Sequence, residues 1–438
     1  MKFLLGAYCA LVTAAFCTAQ DEALQRDTLK YGTDNEISAL INTLKKDNAD
    51  YLDNDLTQIV QNTKNSKIKS QIIGFFAERE KKGLENDAIY IIENRDEIES
   101  SNVLSAIDYL RAIKYTKAQD VLRALLEVDE EVYTNAVIKA IGTATDATNA
   151  DSTADYLISY YQEKNPADDF QRSVILALGE TRSKRATAFL NGIISENERA
   201  GLTIAALSSV ANIADDNSLN VVIHAASSKD PVIRAASVEA LGSFNGDATV
   251  KALLDAFRDS FYKTRLAAVK SAGKRRIKEA VPYLKFRIEK DDVPAVQDEA
   301  VRSLGLIGDN ESNNILESFF DDKKTADRLK IIIAEMLIKT NADEFTDKII
   351  AKLDESKRLN QKQLYKGLIN ALSKAETPRI QPLVARLFAS KDATDKAYAL
   401  ELTAINKFGN FAPEVGHLAS ESNSGLARKA KEVLEKLQ

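Results

Sequence analysis

Apolar residues spaced i, i+4, i+5 and i+8 lie along one side of a short helix, and this chain repeats that spacing along most of its length. The set stands as Ile68, Ile72, Ile73, Phe76; as Tyr133, Val137, Ile138, Ile141; as Phe170, Val174, Ile175, Leu178; and as Leu364, Leu368, Ile369, Leu372. Copies with small or polar substitutes read Ile233, Ser237, Val238, Leu241 and Thr264, Ala268, Val269, Ala272. The last residue of each set marks a series: Phe76, Leu110, Ile141, Leu178, Leu207, Leu241, Ala272, Leu304, Met336, Leu372, Ile405 and Leu434. The steps run from 29 to 37 residues with a mean near 32.5, room for two helices of about a dozen residues each and two turns.

Second apolar-periodic segments lie between the marked helices, at 247–259, 279–290 and 377–390 for example. Each unit is therefore read as a helical hairpin. A lone hairpin cannot bury both of its apolar stripes and must stack on its neighbours, so the chain is expected to be all-α, an α-solenoid of about twelve hairpins. Residues 34–62 read as a degenerate first pair and 426–438 as a polar-faced capping helix, giving one solenoid over 20–438.

The punctuation agrees. Asp230-Pro231 and Thr377-Pro378 set a capping side chain before a proline at the first helical position. Gly246 and Gly308 follow marked helices and are expected to end them in the left-handed conformation. Gly142, Gly179, Gly242, Gly273 and Gly305 directly follow the mark, where a missing side chain lets a neighbouring helix come close.

Ahead of the repeats, residues 1–19 hold one lysine, an apolar run from Phe3 to Phe16 and a small-x-small site at Cys17-Thr18-Ala19. They read as a secretory signal peptide, too short in apolar length for a membrane span, which needs about 20 residues. Acylation at Cys17, giving a lipid-anchored protein, is the alternative, and bulky Phe16 argues against it. The mature protein is expected to be exported, periplasmic or secreted, with no transmembrane segment. Both cysteines, Cys9 and Cys17, lie in the leader, so the mature chain has no thiol. Only His224 and His417 could supply imidazole, which argues against a histidine metal cluster, and no cofactor is called for. Removing Lys2 with the leader moves the formal net charge from −6 to −7, a balance that disfavours nucleic acid as a partner.

The strings DPVIRAASVEALG, FYKTRLAAVKSAG and DVPAVQDEAVRSLG, between 230 and 308, share a capped start, a Val/Ile-Arg step, a small-residue centre and a Leu-Gly end. With these the chain resembles HEAT-repeat proteins, specifically the short HEAT-like repeats named after the phycobilisome lyases. The tetratricopeptide signature includes a Trp, which is missing here, and the ankyrin Thr-Pro-Leu-His is absent. The resemblance implies a solenoid whose second helices line a concave surface. It fixes no activity, because such repeats serve bilin lyases, metal-dependent deoxyhypusine hydroxylases, alkyl-purine DNA glycosylases and plain adaptors. The hydroxylases use His-Glu pairs, whereas His224 precedes Ala225 and His417 precedes Leu418. The resemblance further implies that Arg234 and Arg265, with Gln297 as a substitute, bond an acid or carbonyl of the adjoining repeat.

One stretch stands out in charge. Residues 261–290 hold ten basic and two acidic side chains, a net of +8 against −14 for the other 408 residues. Lys263, Lys270, Lys274, Arg275, Arg276 and Lys278 are the candidate partner-binding residues, with Lys274-Arg275-Arg276 expected to reach solvent at the inter-helix turn. The competing reading is a solvated face balanced by acidic neighbours. The run around Asp146, Asn149, Asp151 and Asp155 lacks the EF-hand order and reads as a long polar loop that also accounts for the 37-residue step. His224 is expected to be packed or hydrogen-bonded and not catalytic, and Tyr160-Tyr161 and Phe319-Phe320 to serve the core. No Gly-rich phosphate loop, nucleophile elbow, Cys-x-x-Cys or His-Glu motif is present, so catalysis is not expected. The function expected is that of a non-catalytic adaptor or scaffold in the bacterial envelope, holding a protein partner or anionic ligand along its concave face. An enzyme or enzyme subunit, or a mechanical spacer, are the alternatives.

Overall fold

Where the i, i+4, i+5, i+8 spacing is written most plainly, its residues are enclosed: Ile68, Ile72, Ile73 and Phe76 are buried, as are Leu364, Leu368, Ile369 and Leu372. The substituted copies are buried as completely, and the Ser237 hydroxyl donates to the Ile233 carbonyl inside its own helix (2.8 Å). The computed structural model describes residues 21–128, 130–164, 166–420 and 425–437; the proposed leader and the Cys17 alternative lie outside them. Among the described residues the regular structure is helical, α and short 3-10, with no strand.

The chain divides into two compact units at Val221 and Val222, and each is a stack of helical hairpins. In the first unit a helix over 21–31 precedes Asp34–Asp47 and Asp53–Asn62, so the helical run begins one element before the expected first pair. Thr33 and Glu36 close a capping box at that second start. The expected polar loop ends early: Ala150–Lys164 is a fifteen-residue helix, and only 144–149 joins it to Glu131–Thr143. Asp146 accepts from the Thr148 backbone and hydroxyl, and Asn149 accepts from Asp146 N. The extra length of that repeat therefore lies in a longer second helix as well as in the turn.

In the second unit marked and second helices alternate: Pro231–Leu241 and Asp247–Ala256, Tyr262–Lys274 and Val281–Lys290, Pro294–Ile307 and Asn310–Asp321. Asp230 caps the first of these by accepting from Val232 N (2.7 Å), with Pro231 at its start. The next pair shares one continuous stretch, Asp327–Arg358, broken only at Asn341 (φ −156°, ψ 92°). Asn341 then caps the following helix by accepting from Glu344 N. The final helix, Gly425–Leu437, buries Ala427, Ala430 and Val433 and leaves its other faces to solvent.

Marked helices approach one another closely because of the glycines. A Cβ on Gly142 would lie 2.8 Å from Cα of Ala177, on Gly179 2.7 Å from Cα of Ser209, and on Gly273 2.7 Å from Cα of Ser303. Ser209 and Ser303 use the proximity to donate across to the Ile175 and Val269 carbonyls, each at 2.8 Å.

Several punctuation details differ from expectation. Gly308 ends its helix in the left-handed region (φ 65°), but Gly246 (φ 98°, ψ 166°) is the N-cap residue of the next helix. Six of the twelve marked helices are followed by non-glycine left-handed residues, Lys114, Arg182, Ala214, Arg276, Glu376 and Lys407, each leading into a 3-10 turn before the second helix. Thr377-Pro378 opens one of those 3-10 turns rather than an α-helix. The series of marks also slips near the end. Met336 and Leu434 are half-buried and Ile405 is 48% exposed, while Leu337, Val433 and Thr403 take the enclosed positions.

Candidate functional site

An arginine ladder runs along the second unit. Arg234 forks onto Asp259 (Nε 2.7 Å, Nη2 3.0 Å) and donates from Nη1 to the Ser228 and Lys229 carbonyls. One repeat on, Arg265 forks onto Asp291 (2.8 Å from each of Nε and Nη2), reaches Asp292, and donates from Nη1 to the Asp259 and Ser260 carbonyls. Gln297 takes the third position, donating to the Asp291 carbonyl (2.9 Å) and accepting from Arg328 (2.9 Å). Each arginine thus holds the turn before its own helix and the turn after the following second helix, whereas Gln297 holds the turn before its own helix and Arg328 of the next marked helix. Arg265 and Asp291 are nearly sealed, at 8% and 0% side-chain exposure. Burial pushes the Asp291 carboxyl up, but the Arg265 fork, Val293 N–H and Arg287 outweigh it and hold the group below the usual carboxylate range. Asp259 is held low in the same way by Arg234 and Phe261 N–H.

The basic stretch 261–290 divides between the two layers of the stack. Lys263, Lys270 and Lys274 are exposed along one stripe of Tyr262–Lys274, with Leu266 and Ala267 half-exposed between them. No ion pair within the described residues uses these three or Arg276. Arg276 and Lys278 stand exposed at the turn, where Lys278 helps hold the Asp309 carboxyl low, a shift due first to its bond from Ser312 N–H. Arg275 does not reach solvent freely. It is half-buried, its Nη1 is enclosed without a partner, its Nη2 reaches Asn245 of the preceding hairpin at 3.5 Å, and burial lowers its pKa. The turn places one flank of Arg275 against the preceding turn, which residue type alone cannot reveal.

The second helices carry the other cations, Lys285, Arg287 and Lys290, and between them grooves open. A cavity of about 450 Å³ is lined by Arg258, Pro282, Tyr283, Phe286 and Arg287. Another of about 720 Å³ continues across Pro282 and Lys285 to Ile315 and Phe319. In this stretch successive marked helices pack along their lengths, while successive second helices barely touch. The tightly packed layer here is thus that of the marked helices, and the open one that of the second helices. The lysine stripe therefore lies on the marked-helix layer and the grooves on the second-helix layer.

Other expectations fare variously. His224 is exposed on Leu219–Ala225 and is not packed. Tyr160 and Phe320 are buried, whereas Tyr161 and Phe319 are half-exposed; Tyr161 stacks edge-on against Phe189 and Phe319 lines the larger groove. Among the described residues no three His, Cys, Asp or Glu side chains gather as a metal site would require, and no helix is long and apolar enough to cross a membrane. Sequence reasoning missed Asp395, fully enclosed at a stripe position, which accepts from Lys357, Tyr365 (2.8 Å) and Ser390 (2.6 Å). It also missed Phe286, whose signal was present: Val281, Leu284 and Ile288 form the buried stripe, and Phe286 falls outside it.

The fold and the ladder define a HEAT-type helical repeat protein. The chain belongs to the spirochaete HEAT repeat protein family, whose model matches residues 29–433. No curated protein matches it significantly. Among solved structures it is similar to the Escherichia coli YibA protein, at 14% identity and a TM-score of 0.39 over 59% of this chain and 95% of that one. It is similar also to the karyopherin Kap121p bound to Nup53p, at 12% identity and a TM-score of 0.45 over 94% of this chain and 52% of that one, so it spans about half the karyopherin's length. Human deoxyhypusine hydroxylase matches at 15% identity with a TM-score of 0.27 over 60% of this chain and 96% of that one. Likenesses this distant carry no functional argument.

Proposed function

We propose that this HEAT-repeat protein is a non-catalytic binding scaffold that holds a negatively charged protein segment against its marked-helix layer. The observation that carries the reading is the stripe Lys263, Lys270, Lys274 with Arg276 at its end: four exposed cations with no carboxylate partner among the described residues, in a chain of net charge −6. Exposed charges without internal partners keep their full field for an incoming anion and make association sensitive to salt. Lys278 extends the stripe at the turn, and half-buried Arg275 supports its geometry.

Crosslinking in the native cell, followed by affinity capture and quantitative mass spectrometry, tests this. Wild type is expected to hold a defined acidic protein that the triple variant K263E/K270E/K274E loses. Retention of the same protein by the variant refutes the assignment. Export is proposed with it, on the strength of residues 1–19, and is checked by the mass of the mature protein: a chain beginning at Gln20 is expected, one that retains Met1 overturns export, and one that begins at a lipid-bearing Cys17 replaces the unanchored form by the lipid-anchored one.

A further inference from the structure

The groove on the opposite layer has a chemistry of its own. Phe286 is 51% exposed, the kind of large apolar side chain a helix normally turns inward, and it sits beside Pro282 and Tyr283 at the mouth of a cavity of about 450 Å³. Guanidinium groups stack on both rings, Arg287 at 4.8 Å from the Phe286 centroid and Arg258 at 5.6 Å from that of Tyr283. Phe257, buried beneath, packs on Tyr283 with ring centroids 5.5 Å apart and fixes that wall. The floor is thus rigid and apolar, and the charged residues lining it are two arginines with no carboxylate among them. Arg287 spends part of its charge on buried Asp291 (3.1 Å), but Arg258 is exposed and makes no ion pair within the described residues. Lys285, next to Phe286 in the chain, is exposed at the edge shared with the larger groove, whose lining also carries Glu289, Glu311 and Asp322, so the positive field belongs to the smaller cavity.

We propose that this groove is a second protein-docking site, for an acidic segment of a partner protein that presents one aromatic side chain beside a carboxylate. The ring fills the cavity over Tyr283 and Phe286, and the carboxylate meets Arg258. Burying an aromatic anchor in a preformed pocket ringed by charge is how a few residues come to dominate an interface. Charge complementarity chooses the partner's sign: an anion gains from both arginines, whereas a basic peptide would set its charges against them. With the lysine stripe on the other layer, the hairpin at 262–290 then grips partners on both faces.

The probe is a fluorescein-labelled peptide, Ser-Asp-Glu-Phe-Asp-Glu-Ser, titrated against the full mature chain by fluorescence anisotropy, with one control in which Phe is Ala and another in which the acids are Lys. Saturable binding of the probe, lost in both controls and weakened about tenfold or more by F286A and by R258E, is expected. Both side chains are exposed, so unchanged thermal unfolding of the variants separates lost binding from lost fold. Binding unaffected by F286A, equal binding of the Ala control, or no saturable binding overturns the proposal. The lysine-stripe variant K263E/K270E/K274E is expected to bind this peptide as wild type does, so the two sites stand or fall separately.

Discussion

Arg265 and Asp291 are two charges taken almost wholly out of water, a state that is tolerable only while each answers the other. Continuum and mutational arguments agree that such a pair adds little over an apolar one, yet losing one partner strands the other at a cost of about 3–5 kcal/mol. R265A is accordingly expected to destabilise the chain by that order at neutral pH, far more than loss of an exposed cation such as Lys263. The sign of the pH dependence follows from Asp291. Its folded carboxyl titrates below the ordinary range, so its contribution is present above the unfolded pKa of about 3.9 and is lost as pH falls through the folded value. In R265A the enclosed carboxyl has lost its fork and accepts a proton more readily. The stability gap between wild type and R265A should therefore narrow as pH drops below about 4, which urea melts at a series of pH values measure directly. A gap that stays constant or widens would mean that Arg265 acts through packing or its carbonyl bonds, not through Asp291.

At the scale of the helix, the glycines after the mark can be separated from glycines that merely lie in helices. Gly273 has Ser303 backbone in the space a Cβ needs, so G273A must push two marked helices apart, an overpacking cost of about 1–3 kcal/mol. Gly74, inside Ser66–Glu78, has nothing within 4 Å of that space, and G74A should stabilise by about 0.5–1 kcal/mol through helix propensity alone. Opposite signs in thermal melts are the expected outcome. This close approach was legible in the sequence because the Leu-Gly end recurs at a fixed offset. The left-handed turns were not, since Lys114, Arg182, Ala214 and Arg276 carry no signature of positive φ and adopt it under the demands of the stack. The stripe is likewise legible until polar residues enter it: Asp395 and Thr403 stand where apolar side chains are expected, which moved the mark to exposed Ile405. The lysine stripe could be counted from composition, but its separation from Lys285 and Arg287 needed both helix phases. The Phe286 groove needed more still, because Arg258 and Phe286 belong to different hairpins and meet only once those hairpins stack.

Across the second unit, each hairpin is held by what comes before and after it in the chain, since both the ladder and the glycine contacts join sequence neighbours about thirty residues apart. A stack built from nearest-neighbour interfaces has a stability that is a sum of local terms, so damage in one interface spreads only as far as the coupling between adjacent units carries it. G273A wedges the interface between Tyr262–Lys274 and Pro294–Ile307. Amide exchange measured by mass spectrometry under native conditions is expected to speed up in 262–307, and less in Pro231–Leu241 beyond it. The helices Ala393–Asn406 and Gly425–Leu437 of the same unit should keep their wild-type rates, because no contact altered by the wedge reaches them. Uniform acceleration over 222–437 would instead make the unit one cooperative block. In that case the two docking faces on the repeats at 231–290 could not loosen independently of the rest, and binding on one would stiffen the whole unit.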